Sequence, residues 1–362
     1  MIDRVFIQGT GLCTPLGDAP RDVFASVRRG ESALRLHPDA FGAPEPVFAS
    51  LFDRASFEGK SLFPEICTRA ASAAIAESGI DASSERTGLV VCSVKGEIEH
   101  LGQADVTLAA SARKIADALG VTTSPVVVSN ACISGLAGLV QGRRMLLSGL
   151  CDQVIVVGAE VQSRFIVTGF QSLKALSGEA CKPFDAARCG LNLGEGAAAM
   201  VLSGVPADWE IVSGAIRNDA NHISGPSRTG EGSFNALQYI LPSVNRDNLA
   251  FVSVHGTSTL YNDEMESIAL DRAGLLDFPV CALKGTFGHT MGAAGILESI
   301  MGMLACEAGI VLPTRGYESL GVSRPVKVSS AGMPASGNGF IKLLSGFGGV
   351  NGALYFRKGG RA

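Results

Sequence analysis

Disulfide and zinc chemistry are the first things this sequence leaves out. Its nine cysteines, at positions 13, 67, 92, 132, 151, 181, 189, 281 and 306, include no C-x-x-C pair. An odd number at wide spacing argues against a disulfide framework and against a metal site, and points to reduced thiols in a cytoplasmic protein. Charge is also scarce. Only 18% of residues are Asp, Glu, Lys or Arg, the formal net charge is −4, and the basic residues are scattered, so no nucleic-acid footprint is present. No uninterrupted apolar run suits a bilayer. The most apolar long segment, Met291 to Leu312, contains Glu298 and Glu307, which favours a buried amphipathic helix over a membrane span. Met1-Ile2-Asp3-Arg4 reads as the beginning of a strand and not as a signal peptide. No low-complexity linker divides the chain, so its halves are expected to pack tightly.

What is present is apolar and small. Hydrophobic residues make up 46% of 362, and glycine reaches 45. That length allows one large or two medium domains with a substantial core. Strands are expected at Val5–Gly9, Gly88–Ser93, Val126–Val128, Gln153–Gly158, Glu210–Arg217, Leu249–Val254, Val280–Leu283, Phe340–Ser345 and Ala353–Phe356. Helices are expected at Arg21–Arg29, Glu65–Ser78 with a stop at Gly79, Gly135–Leu147, Asp263–Ala273 and Gly292–Ala308, with further helical stretches before Leu119. Four prolines between 36 and 64 suit an irregular excursion. Continuous apolar strands alternating with helices imply a mostly parallel α/β sheet covered on both faces.

One stretch organises the chemistry. Val126-Val127-Val128-Ser129-Asn130-Ala131-Cys132 reads as a buried strand that delivers a cysteine to a helix N-terminus. Unpaired N–H groups there favour a thiolate, so the Cys132 pKa is expected to fall. The competing reading is a small buried hydrophobe, the commonest fate of a free cysteine. Two of the five histidines shift that balance. His255 (His-Gly-Thr-Ser-Thr) and His289 (Lys284-Gly-Thr-Phe-Gly-His289-Thr-Met-Gly-Ala-Ala-Gly) both follow strands and sit among residues small enough for a substrate to approach. A cysteine with histidines suits acyl transfer.

Taken together, six motifs in order resemble the β-ketoacyl synthases of the thiolase fold. They are Asn130-Ala-Cys132-Ile-Ser-Gly, Lys182-Pro-Phe-Asp-Ala-Ala-Arg188 leading to Gly194-Glu-Gly-Ala197, Asp219-Ala-Asn-His222 with Pro226, the two histidine motifs, and Gly346-Phe347-Gly-Gly-Val-Asn351. The resemblance covers about residue 125 to the C-terminus, and Val5 to Gly17 also fits. It implies an α/β thiolase-like fold of two similar βαβαβαββ halves, 1–205 and 206–362, packed as α-β-α-β-α layers.

It also implies roles. Cys132 resembles the nucleophile that carries the acyl group. His255 and His289 resemble the donors to the enolate of a decarboxylating malonyl thioester. The N–H groups of Cys132 and Phe347 resemble the oxyanion hole, and the Phe347 ring the gate between acyl and malonyl pockets. Lys284 and Glu266 resemble a supporting ion pair. Thr257 and Thr259 resemble contacts to the pantetheine arm, whereas His222 falls outside the reacting set. Histidine rather than asparagine at 289 points to the elongating type. A thiolase would need a second reactive cysteine late in the chain, and Cys306, inside an apolar helix, is poorly placed for that.

The implied partners are an acyl carrier protein, whose 4'-phosphopantetheine holds the substrates, and a second copy in a homodimer. A heterodimer with a synthase-like chain is the alternative. No metal or other cofactor is implied. The chain departs from the family pattern before Cys132, where it is short and Cys92-Ser93-Val94-Lys95-Gly96 replaces the usual glycine-rich strand end. That pruning hints at a specialised pathway such as polyene synthesis. Two rival readings are a non-catalytic partner subunit and a thioester hydrolase or acyltransferase using the same cysteine.

Overall fold

The computed structural model describes residues 2–103 and 105–359, so Met1 of the expected first strand and Ala104 lie outside the described residues. Eleven strands form the main sheet: β1 (Phe6–Cys13), β2 (Thr87–Cys92), β3 (Val126–Val128), β4 (Gln153–Glu160), β5 (Gly196–Ser203), β6 (Trp209–Asn218), β7 (Leu249–Ser253), β8 (Pro279–Cys281), β9 (Lys327–Val328), β10 (Gly339–Gly346) and β11 (Val350–Lys358). Their spatial order is β9-β8-β7-β10-β11-β6-β1-β5-β4-β2-β3. Counted within their own halves, β1–β5 and the set β6, β7, β8, β10, β11 share one strand order, 3-2-4-5-1. The two halves join through a short antiparallel pairing of Phe6 and Ile7 with Glu210 and Trp209.

The helices are α1 (Pro20–Arg28), α2 (Leu62–Ser78), α3 (Leu108–Leu119), α4 (Ser134–Leu147), α5 (Arg164–Ser172), α6 (Glu231–Ile240), α7 (Leu260–Arg272), α8 (Lys284–Phe287) and α9 (Ala294–Glu307). Helices α4 and α9 form the middle layer and pack on both halves of the sheet. Helices α2 and α3 cover one outer face, and α6 and α7 the other. This is a thiolase-like layering. The strand pleat feeds it directly: in β4, Val154 and Val156 enter the central core while Ile155 and Val157 enter the outer one. In β10, Phe340 and Leu344 face the centre and Ile341 and Leu343 face outward.

Two expectations need correcting. The sheet is mixed, with five parallel and five antiparallel neighbour pairs, because β5 and β11 run against both of their neighbours and β1 meets β6 antiparallel where the halves join. A strand buried on both faces is apolar whichever way it runs, so the sequence is silent on direction. The valines of β3 are only half buried, because β3 is the edge strand beyond β2. Helices α5 and α6 were not anticipated either. Their glycines and β-branched residues give a weak helical signal, and tertiary packing decides.

What positions the site is the approach of α4 to α9. A Cβ on Gly135 would stand 2.5 Å from the Gly292 carbonyl oxygen, and one on Gly295 would stand 2.3 Å from the Leu136 backbone nitrogen. Both distances are far inside contact, so the helices meet backbone to backbone. Replacing Gly295 with alanine is expected to destabilise the fold by about 1–3 kcal/mol, the usual penalty for overpacking. Urea unfolding checks this, and an unchanged midpoint would mean the helices have slack there.

Candidate active site

Strand β3 ends at Val128, and the chain then makes a tight turn into α4. Ala131 adopts φ 45°, a left-handed conformation that costs a non-glycine residue about 1–2 kcal/mol. The turn is held by Ser134, whose Oγ accepts the Asn130 N–H at 2.8 Å and donates to the Ala131 carbonyl at 2.6 Å. Cys132 therefore sits two residues before the first helical residue, 6% exposed, among Ile166, Val167, Leu191, Leu193 and Met291.

The two histidines come from the other half of the chain. His255 follows β7 and His289 follows α8. Both are buried, with ring centroids 5.0 Å apart and planes at 79°. His289 Nδ1 accepts the Met291 N–H at 3.3 Å, so the ring hydrogen is carried on Nε2. That Nε2 and His255 Nδ1 are buried and find no hydrogen-bond partner among the described residues. Burial drives both histidines well below their ordinary pKa, helped by the nearby cationic lysines, so both are neutral. The His289 backbone is fixed as well, its N–H bonding the Asn192 carbonyl at 2.7 Å.

The expected ion pair between Lys284 and Glu266 is not formed. Glu266 instead accepts the backbone N–H groups of His255 (2.6 Å) and Gly256 (2.7 Å) and the Asn262 side chain (3.0 Å). It shapes the turn that presents His255, and burial raises its pKa to about 7. The partner of Lys284 is Glu298, at 2.9 Å, and Glu298 also binds a second buried lysine, Lys342, at 2.5 Å. With a cation on each oxygen, the Glu298 carboxyl is held below its usual range despite full burial. The sequence did contain the signal. A carboxylate inside a 22-residue apolar segment and a lysine inside an apolar strand each require a buried partner.

Glu160, at the end of β4, is a further unanticipated member. It accepts from Ser93 Oγ (3.0 Å) and from the backbone N–H groups of Val94, Lys95 and Gly292 (3.0, 3.3 and 3.1 Å). It thereby ties the shortened segment after β2 to the turn ahead of α9. Burial lifts its pKa to about 7.

Cys132, His255 and His289 line one cavity of about 440 Å³, together with Thr257, Thr259, His222 and Phe347. Phe347 stacks on Phe170, with ring centroids 5.6 Å apart. It lies in the β10–β11 hairpin, where Gly348 and Gly349 take positive φ and turn the chain. Thr257 and Thr259 hydroxyls lie 3.0 Å apart, and Thr259 also caps α7. Cys306 lies elsewhere, its sulfur 3.5 Å from the Gly337 carbonyl.

The lowered thiol pKa expected for Cys132 is overturned. Burial pushes it up to about 11, against the pull of Lys284 and of the N–H groups of Phe347 and Cys132 itself. A helix terminus contributes about 0.3–2 kcal/mol, less than desolvation of a thiolate costs here. The free enzyme therefore holds a thiol. Alkylation of Cys132 by iodoacetamide, followed by peptide mass spectrometry, is expected to accelerate about tenfold per pH unit between pH 7 and 9. A rate that levels off below pH 8 would reveal a thiolate instead.

Comparison with known proteins agrees with this geometry. The model of the β-ketoacyl synthase N-terminal domain matches residues 3–206, and that of the C-terminal domain matches residues 209–318. The chain is 28% identical to 3-oxoacyl-[acyl-carrier-protein] synthase 2 of Vibrio cholerae, covering 98% of this chain and 99% of that one. It is 28% identical to the tetracenomycin polyketide synthase ketoacyl synthase alpha subunit of Streptomyces glaucescens, with 87% of each covered. Among solved structures, a β-ketoacyl synthase from Burkholderia phymatum superposes with a TM-score of 0.87 at 26% identity, over 98% of this chain and 99% of that chain. Cys132, His255 and His289 meet in one cavity, and with domain models matching both its halves the chain belongs to the β-ketoacyl synthase family.

Proposed function

We propose that this protein catalyses decarboxylative Claisen condensation of a malonyl thioester with an acyl group carried on Cys132. The observation that supports this best is the meeting of Cys132 with two neutral, buried histidines in one cavity. In the first step the Cys132 sulfur attacks an acyl thioester, a new thioester forms, and the Cys132 proton leaves on the departing pantetheine thiol. In the second, a malonyl thioester enters. Its carboxylate leaves as carbon dioxide, and negative charge moves onto the thioester oxygen. The Nε2–H of His289, together with His255, donates to that oxygen. Donors without an internal partner suit this role, because they need not break a bond to act. The enolate carbon then attacks the Cys132 thioester, a carbon–carbon bond forms, and the carbon–sulfur bond breaks. The N–H groups of Cys132 and Phe347 stabilise the tetrahedral oxyanion, and the released thiolate takes up a proton.

The acyl groups arrive on the 4'-phosphopantetheine arm of an acyl carrier protein, with the Thr257 and Thr259 hydroxyls as its contacts and Phe347 as the gate. Relatives named as a 3-oxoacyl-[acyl-carrier-protein] synthase and as a polyketide synthase ketoacyl synthase subunit support a fatty-acid-like or a polyketide setting. The repeated strand order supports a division near 205–206 into a half that supplies the nucleophile and a half that supplies both histidines. Among the described residues no helix is long and apolar enough to cross a membrane. All nine cysteines are free, which supports a reducing, cytoplasmic setting. A non-catalytic partner subunit would have no use for the nucleophile that this chain retains.

The sheet edge supports a homodimer. Strand β3 leaves one side of its backbone unpaired beside half-buried valines, and proteins rarely leave such an edge open. Light scattering is expected to give about twice the 37.3 kDa chain mass. A monomer at micromolar concentration would remove the dimer from the proposal.

Supplied with acyl- and malonyl-carrier proteins, the enzyme is expected to lengthen the acyl chain by two carbons and to show the acyl group on Cys132 by intact-mass spectrometry. Cys132→Ala should abolish condensation while keeping carbon dioxide release, since the enolate donors remain. His255→Ala or His289→Ala should slow that release by roughly 10²–10³-fold, the usual cost of one such donor. Unchanged carbon dioxide release in both histidine variants would invalidate these roles.

A further inference from the structure

Glu298 is shared by two lysines, and only one of them is explained by the site described above. Lys342 lies on β10 between Phe340 and Leu344, on the strand face that points into the central core, and it is fully buried. A buried ammonium here has no value as packing, since an apolar side chain of similar volume would fill the space at lower cost. Its hydrogen bonds are directed to particular places. Nζ donates to the Ser253 carbonyl (3.3 Å), the Ser253 hydroxyl (3.2 Å), the Val254 carbonyl (3.0 Å) and Glu298 Oε2 (2.5 Å). Ser253 and Val254 are the two residues immediately before His255. The other Glu298 oxygen holds Lys284, which opens the short helix leading to His289.

The connection is continuous: His255 strand end, Lys342, Glu298, Lys284, His289 turn. Without Lys342, Glu298 and Lys284 would fix only the His289 side. Building on the condensation reading, we infer that Lys342 is a positioning residue for the decarboxylation step, setting His255 against His289 by clamping the end of β7 to α9. Cys132 is reached through α4 and the β3 turn, so its acylation does not pass through this clamp.

The two half-reactions separate this role from a general structural one. Lys342→Met removes the ammonium, keeps the length of the side chain, and leaves Lys284 and Glu298 as a neutral pair. Carbon dioxide release from malonyl-carrier protein is expected to fall roughly 10–100-fold, the scale of a small misplacement at a reacting centre. Acyl transfer to Cys132, followed by intact mass, should stay within about twofold. If the loss passes through the histidine, it should vanish in a His255→Ala background, where Lys342→Met adds nothing further. Wild-type carbon dioxide release in Lys342→Met, an equal fall in both half-reactions, or an additive effect in the His255→Ala background would each overturn the inference. Lys342→Gln serves as the second variant should the methionine form not fold. If neither folds, Lys342 holds the core rather than the histidines and the inference fails. A wild-type enzyme that releases no carbon dioxide from malonyl-carrier protein would instead refute the condensation reading beneath it.

Discussion

Helices α4 and α9 meet with no side chain between them at Gly135 and Gly295, and the rest of the site depends on that approach. Helix α4 follows the turn that presents Cys132, while the segment entering α9 carries His289 and Gly292. Because Gly135 packs on the Gly292 carbonyl and Gly295 on the Leu136 backbone, Cys132 of one half and His289 of the other are brought to one cavity. Glu160 fastens the same junction from the side, accepting the Gly292 N–H and three donors from the segment after β2. A methyl group at either glycine would enter space already occupied by backbone, which cannot rotate away as a side chain can.

Burial then sets the electrostatics. Desolvation raises the Cys132 thiol and lowers both histidines, so the resting site contains a neutral thiol and neutral imidazoles. Behind them lies the Lys284, Glu298 and Lys342 cluster, where each Glu298 oxygen has its own ammonium. Two lysines on one carboxylate give this cluster a net positive charge when all three are ionised. Its field opposes protonation of the histidines without a direct contact to substrate. The arrangement favours groups that respond when negative charge develops in the cavity over groups already charged at rest.

Much of the site could be read from residue order. Cys132, His255 and His289 stand in small-residue motifs that allow close approach, and these motifs occur in family sequence. Partnership was harder. The family resemblance implies that Glu266 and Lys284 pair, yet Glu266 turns to the backbone N–H groups of His255 and Gly256. In the sequence Glu298 argues only against a membrane span, and Lys342 is a single charge inside an apolar strand. The thiol of Cys132 was misjudged because a helix terminus is visible in a sequence and the depth of burial is not. Strand β3, apolar enough to read as central, lies at the sheet edge.

The sequence by itself determined the alternation of strands and helices, the turn chemistry around Cys132 and which small-residue motifs carry the cysteine and histidines of the cavity. These are local properties, set by residue type, periodicity and neighbours along the chain. Tertiary structure alone decided strand direction, the edge position of β3, the partner of each buried charge and the neutral state of the thiol. Those depend on distances between residues remote in the chain and on how much water is excluded there. Glu298 and Lys342, 44 positions apart, become neighbours only when α9 packs on β10.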